Sequence, residues 1–526
     1  MPAFIRRLIH RFLAGPDWFW RLVASVPVLR MWINRLFINV VAYSTPARPH
    51  PLSLWSPGPA SSPPAEYPSW TGLTDRRYTG RHLPPAPDEW LNQLPKLADL
   101  EPLFHREHFV PCPRSTALFS FFAQWFTDSF LRTDPDDLRK TTSNHEIDLC
   151  QIYGLFASDT SLLRSKVGGR LKSQTIDGIE YPAMLFNEDG TRVKDEFLML
   201  SYINPDTGDF RYPLNPDPGP ARKSRFFAAG LERGNSTIFY SALNSVFLCE
   251  HNRLCRVIQA AEPRWDDDRL FEAARCTNTA MLLKIIIEDY INHLSTTAFK
   301  LFVEVGFAQK QRWYRTNRIA AEFNLLYRWH SLVPNDCFVD GHKLPPEEFR
   351  FNNDALLHFG LPSVLVSASL QRAGKITLGN TPAFLLPAEQ ASLSKSRAWK
   401  LQSFNSYRER FSLPRLKSFE ELTDDPALAA ALKQVYRSID NVELVTGLMA
   451  EERAADAIFG DLMAFMVGSD AFSQALTNPL LADEVYGPRT FSAAGLAELE
   501  STRTLNDVVQ RNANMTGQVV SFGHRK

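Results

Sequence analysis

From about residue 100 to the C-terminus of this 526-residue chain, apolar residues recur at helical rather than strand spacing, and that pattern constrains the fold most. Residues 115–132 read as an aromatic, apolar helix, and 235–261 as a helix stopped before Pro263. Residues 268–300 read as a long helix opened by Asp266, Asp267 and Asp268, acids that suit a helix N-terminus, and 316–333 as another ended by Pro334. One short hairpin is expected where Phe197–Tyr202 and Phe210–Tyr212 flank Asn204, Pro205, Asp206, Thr207 and Gly208. No internal repeat or strand–helix alternation is found, so the expected fold class is mainly α, with a catalytic body over residues 100–526.

Residues 1–43 differ from the rest. Arg6, Arg7, Arg11, Arg21, Arg30 and Arg35 stand against one acid, Asp17, a net charge of +5. Phe4, Leu8, Phe12, Trp18, Phe19, Trp20, Leu22, Leu29, Trp32 and Phe37 are interleaved with them. Short helices with arginine on one side and large apolar side chains on the other suit a membrane interface, with apolar residues in the acyl boundary and arginine at lipid phosphate. The same pattern fits a segment packed on the protein's own body, and both readings stand at this point. Prolines at 46, 49, 51, 57, 59, 63, 64 and 68 make 44–70 an extended stretch, so 44–99 reads as a linker and lead-in.

Lysine plus arginine balance aspartate plus glutamate at 58 each, which gives no electrostatic reason to expect a nucleic-acid partner. Six cysteines, none in a CxxC pair, read as buried thiols in a reducing compartment. The N-terminus shows no apolar core followed by a small-residue cleavage site, and no apolar run is long enough to span a bilayer. The expectation is a monotopic protein on the cytoplasmic side of a membrane, held by residues 1–43.

The chemistry centres on residues 317–330, NRIAAEFNLLYRWH. On a helix Phe323, Tyr327 and His330 would share a face at i, i+4 and i+7. A neutral imidazole is a good axial ligand for haem iron, and a phenol one turn away could reach the haem edge. Taken alone, a histidine among aromatic residues is more often packed or surface-exposed than a ligand.

Resemblance changes that balance. The segment ending LYRWHSLVP resembles the proximal haem helix of cyclooxygenases (prostaglandin endoperoxide synthases), a branch of the animal-type haem peroxidase superfamily. Further similar segments follow in family order: FSFFAQWFT at 119–127 (the distal haem helix), HEIDLCQIYG at 145–154, EHNRLC at 250–255, IIEDYINHLS at 286–295, SFNSYRERF at 403–411 and AFSQALTNP at 471–479. The resemblance covers nearly the whole chain. It implies haem b held through His330 as axial ligand of the iron, with Tyr327 as the tyrosine that becomes a radical and abstracts hydrogen from a fatty acid. Tyr290 matches a tyrosine that orients the radical one, and Gln124 a distal-pocket glutamine. Ile291, Leu294, Ser295, Phe323, Leu326 and Ser473 match the channel that holds the acyl chain.

The chain also departs from the family pattern. Asp128 stands where the distal catalytic histidine is expected, and a carboxylate of suitable pKa can shuttle protons at lower efficiency, so weak peroxidase activity is expected. Val41 and Thr297 replace the arginine and tyrosine that hold the fatty-acid carboxylate at the channel mouth. The substrate would bind in reverse, be held by another cation such as Arg35, or not be a free acid. This argues against simple prostaglandin synthesis and for dioxygenation of an unsaturated fatty acid to a hydroperoxide. Thr127 and Ser236 stand near the positions of the acids that esterify haem in myeloperoxidase-type relatives, so non-covalent haem is expected; Ser129 follows Asp128 where those relatives carry an acid, so calcium is not. The epidermal-growth-factor-like module of the animal enzymes is missing, which suggests a bacterial or other non-animal source. A homodimer is implied by the relatives, although that module helps them to dimerise.

Other segments carry blander readings. His105-Arg106-Glu107-His108 has HxxH spacing but reads as a solvated turn, His251 and Arg253 as a buried polar network, Tyr407–Arg410 as an ion-pair network, and Asp266–Asp268 as a helix cap. Two other functions remain in view: a peroxidase using Asp128 with a non-lipid donor, and a haem- or lipid-binding protein without turnover.

Overall fold

A computed structural model describes residues 15, 17–44, 54–295, 298–454, 457–513, 515 and 517–524. Helices dominate: α1 (Asp17–Ser25), α2 (Pro27–Ser44), α3 (Ala117–Thr127), α4 (Ile238–Ala261), α5 (Asp267–Ile285), α6 (Ala321–Leu326), α7 (Asn353–Leu370), α8 (Leu386–Ala398) and α9 (Asp461–Leu476) carry the argument below. Strand among the described residues is confined to three antiparallel two-stranded pieces: Pro111–Thr116 with Arg372–Gly374, Ser173–Ile176 with Ile179–Pro182, and Cys337–Val339 with His342–Leu344. A short connection turns α4 back on α5, and α3 and α7 pack against α4. Thr237 and Asp266 cap α4 and α5 by accepting from the backbone N–H of Tyr240 and Arg269.

Three helices are shorter than the sequence pattern predicts. The 115–132 helix is α3 alone, because Pro111–Thr116 is drawn into a strand and the chain turns after Thr127. The 268–300 helix keeps α geometry only to Ile285; Ile286–Ile291 is a π-helical turn, and helix ends at Leu294 with Ser295 extended. The 316–333 helix is reduced to α6, followed by a 3₁₀ turn at His330–Leu332. Its break has a packing cause. Tyr327 stacks on Trp329 with ring centroids 4.3 Å apart, and residues two apart do not face each other on an α-helix. The shared helical face expected for Phe323, Tyr327 and His330 is therefore not formed.

The expected hairpin at 197–212 shrinks to one bridge between Ile203 and Phe210. A regular hairpin stands instead at 173–182, where Asp177 and Gly178 both take positive φ, as a two-residue primed turn requires. The lead-in is not a free linker from Leu54 onward. Trp55 is buried, donates its indole N–H to Thr79 O at 2.8 Å and lies under the Arg81 guanidinium.

From Asp17 onward the N-terminal region is packed on the protein's own body on one side. Trp20, Val23, Ile33 and Ile38 are buried, and α2 packs on α9. Trp18, Leu22, Val28 and Trp32 are 58–72% exposed, an apolar outer face. No helix among the described residues is long and apolar enough to cross a membrane.

Candidate active site

His330 leads the short 3₁₀ turn after α6, and its side chain is 17% exposed. Nδ1 lies 3.0 Å from Oε1 of Glu389 in the first turn of α8, at hydrogen-bond distance but without hydrogen-bond alignment. The carboxylate thus lies beside Nδ1 of the ring. Around it, buried polar atoms lack partners: both amide atoms of Asn324, the Tyr327 hydroxyl, Arg328 Nε, Trp329 Nε1, Ser331 Oγ and Glu389 Oε2. Buried polar groups are nearly always satisfied, so such a run of orphans within one short stretch fits a polar prosthetic group in contact with it.

Helix α3 carries the segment expected to lie on the distal side. Every residue of α3 except Gln124 is buried. Gln124 is half-buried, one turn before Asp128. Asp128 Oδ1 lies 3.3 Å from Arg233 Nη1, while Oδ2 is buried and unpartnered, as are Ser236 Oγ and Tyr240 Oη. Burial raises the Asp128 pKa, and Arg233, Arg132 and Arg328 work against that rise. Arg328 is within electrostatic reach of both Asp128 and Glu389, and burial pushes its pKa down to about 10. Burial, with Arg328 and Arg233, pushes Lys395 down to about 8. Thr127, expected beside the cofactor, turns its hydroxyl back to donate to Ala123 O at 2.7 Å.

Tyr327 and Tyr290 approach each other from different elements, Tyr327 from the end of α6 and Tyr290 from the π-helical turn. Burial raises the pKa of both, so both are neutral phenols at physiological pH. The neighbouring Tyr290 hydroxyl works to lower the Tyr327 pKa against burial, yet neither oxygen meets a partner in aligned geometry. Phe126 of α3 stands edge-on to both rings, 5.0 Å from Tyr290 and 6.2 Å from Tyr327. Phe323 meets the Tyr327 ring edge-on at 5.4 Å.

Of the other expected channel residues, Ile291, Phe323, Leu326 and Ser473 are buried, and Leu294, Ser295 and Val41 are half-buried. Ser473 donates to Asp470 O at 3.1 Å. Thr297 lies outside the described residues. Arg35 is ion-paired with Glu304 beside a surface cavity of about 450 Å³ also lined by Trp32, Leu36 and Asn39.

Sequence reasoning missed four features here: Phe126 between the tyrosines, the cations Arg233 and Arg328, Glu389 against His330, and a fully buried pair of His82 and Asp470 with Nε2 and Oδ2 3.0 Å apart. Asp470 is felt electrostatically by Tyr327. A polar pair thus lies near the phenol, where an apolar channel was expected. Only the position of Phe126 in the FSFFAQWFT segment offered a signal.

Comparison with known proteins decides the family. The animal haem peroxidase family model matches residues 129–521. The chain belongs to the animal haem peroxidase family. It is 33% identical over 517 residues to prostaglandin G/H synthase 2 of Oryctolagus cuniculus, covering 96% of this chain and 80% of that one. It is 32% identical over 526 residues to prostaglandin G/H synthase 1 of Mus musculus, covering 98% and 82%. In structure it resembles the fatty acid alpha-dioxygenase of Oryza sativa (TM-score 0.68, 18% identity, 83% of this chain and 81% of that one). Peroxidase A of Dictyostelium discoideum gives TM-score 0.65 at 18% identity, covering 85% and 95%. These two support the fold alone. As an animal haem peroxidase the protein is a haem-dependent oxidoreductase, and the orphaned polar atoms around His330 and Asp128 fit that cofactor.

Proposed function

We propose that this haem peroxidase oxygenates an unsaturated fatty acid to a hydroperoxide, using Tyr327 as the hydrogen-abstracting residue. The observation that carries the reading is the buried pair of Tyr327 and Tyr290, packed by Phe126 and Phe323 and within reach of the histidine turn. The family's prostaglandin synthase relatives support the substrate class.

In this reading His330 Nε2 would hold the iron, Gln124 would line the haem pocket, and Arg233, Arg328 and Lys395 would offer cations to the propionates. Burial destabilises the charges of Arg328 and Lys395, so an anion beside them is favourable. Haem b, held without covalent links, would supply the oxidising equivalent that the Tyr327 phenol needs to act as a phenoxyl radical. Tyr327 then takes a hydrogen atom from an allylic or bis-allylic carbon, dioxygen adds to the carbon radical, and Tyr327 returns hydrogen to the peroxyl oxygen. Tyr290 and Phe126 fix the phenol's position, so the hydrogen nearest its oxygen is taken. Ile291, Leu326 and Phe323 present apolar surface to the acyl chain.

Asp128 is the candidate proton shuttle on the distal side. Its raised pKa suits a group that must both give and take a proton, which also supports a second reading as a peroxidase with a non-lipid donor. The exposed Trp18, Leu22, Val28 and Trp32 support attachment to a membrane surface, from which a sparingly soluble substrate would enter. Oxygen consumption by the haem-loaded protein with oleate, linoleate and arachidonate, with products read by mass spectrometry, tests the proposal. Hydroperoxide formation supports it, and no uptake from any of them after peroxide priming rejects it for these acids.

A further inference from the structure

Glu389 sits in the first turn of α8, where an acid ordinarily serves the helix dipole from the solvent side. Here the side chain is 3% exposed and points inward. Thr381 Oγ1 donates to Oε1 at 3.0 Å, the same oxygen lies 3.0 Å from His330 Nδ1, and Oε2 has no partner. No lysine or arginine forms an ion pair with Glu389 among the described residues. Arg328 is a cation within electrostatic reach, yet burying a carboxylate without a direct ion pair is not something a helix cap requires. We infer that Glu389 is the positioning residue of the haem-binding histidine: it accepts the Nδ1–H of His330, fixes the tautomer with its lone pair on Nε2, and strengthens that nitrogen as an iron ligand.

The inference rests on the reading of His330 as the axial ligand. A ligand histidine commonly donates its second N–H to an outer partner that sets ring orientation and basicity. A carboxylate partner gives the ring imidazolate character, which tightens the iron–nitrogen bond and favours ferric over ferrous haem. The 3.0 Å separation is already that of a hydrogen bond, and such bonds often come into line only in the assembled site. Thr381 completes the device by holding Oε1 from the other side.

The test uses the full chain loaded with haem, as wild type, Glu389→Gln, Thr381→Val and His330→Ala. Its readouts are the iron–histidine stretch of the ferrous form by resonance Raman and the ferric/ferrous midpoint by spectroelectrochemistry. Glu389→Gln is expected to lower the stretching frequency and to shift the ferric/ferrous equilibrium toward ferrous about tenfold, roughly 59 mV for one electron. Thr381→Val is expected to move both in the same direction by less, and it decides the matter should Glu389→Gln fail to fold. Haem affinity in Glu389→Gln is expected to fall by about 10- to 100-fold. Equal stretch and midpoint in wild type and Glu389→Gln, or in Thr381→Val where it alone folds, would show Glu389 to be merely structural while leaving His330 as ligand. Survival of the iron–histidine signal in His330→Ala would instead overturn the ligand assignment, and this inference with it.

Discussion

Arg233 holds Nη1 3.3 Å from Oδ1 of Asp128, so this buried carboxylate carries a cation on one oxygen and nothing on the other. Burial raises the Asp128 pKa and Arg233 restrains the rise. Two consequences follow for activity. Asp128→Asn should slow haem oxidation by hydrogen peroxide about a hundredfold in stopped-flow spectra, the usual scale of general acid–base catalysis. Arg233→Leu should move the acid limb of that reaction's pH profile upward, because the restraint is gone.

The same group affects stability. An acid whose native pKa exceeds its unfolded one binds more protons in the native state, so native stability falls as pH rises from the ordinary aspartate value through the raised one. Asparagine cannot ionise. The Tm of Asp128→Asn relative to wild type should therefore rise as pH increases through that window, and a flat difference would show that the buried carboxylate is compensated.

His82, paired with Asp470, follows the same sign in a higher pH window. Burial works to lower the His82 pKa, and Asp470 more than offsets it, leaving a raised value. Stability from this pair is fully present below the unfolded histidine value and is lost as pH rises through the raised native one. Removing one partner of a buried pair leaves an uncompensated group, so Asp470→Asn should cost about 3–5 kcal/mol in urea unfolding at pH 6, and less at higher pH.

The outer face of α1 and α2 makes a separate prediction. Trp18→Ser, Leu22→Ser and Trp32→Ser together should reduce co-sedimentation with anionic vesicles at least tenfold, a modest share of the apolar area involved. Because these side chains are exposed, Tm should barely change. Undiminished sedimentation would mean that the patch serves another contact.

Much of the helical plan was legible because α4 and α5 carry long amphipathic patterns with clear caps at Thr237 and Asp266. The motif order led to the family before any coordinates. What the pattern did not reveal were the places where helices stop obeying it. The π-helical turn at Ile286–Ile291 and the unwinding after Leu326 both occur with no glycine or proline inside, and they bring Tyr290 and Tyr327 together. Tertiary packing, the stack of Tyr327 on Trp329 above all, overrides local propensity there. Glu389 was invisible for a different reason: an acid in a helix's first turn reads as a dipole partner, and only the fold turns it toward His330.

The central claim is that oxygenation runs through the Tyr327 phenol. Its most direct test compares haem-loaded wild type and Tyr327→Phe, primed with the same hydroperoxide, for oxygen uptake with linoleate and for guaiacol oxidation by peroxide. The account predicts that Tyr327→Phe loses oxygen uptake by at least about a hundredfold while guaiacol oxidation persists at a wild-type rate. Oxygen uptake that survives in Tyr327→Phe would contradict it.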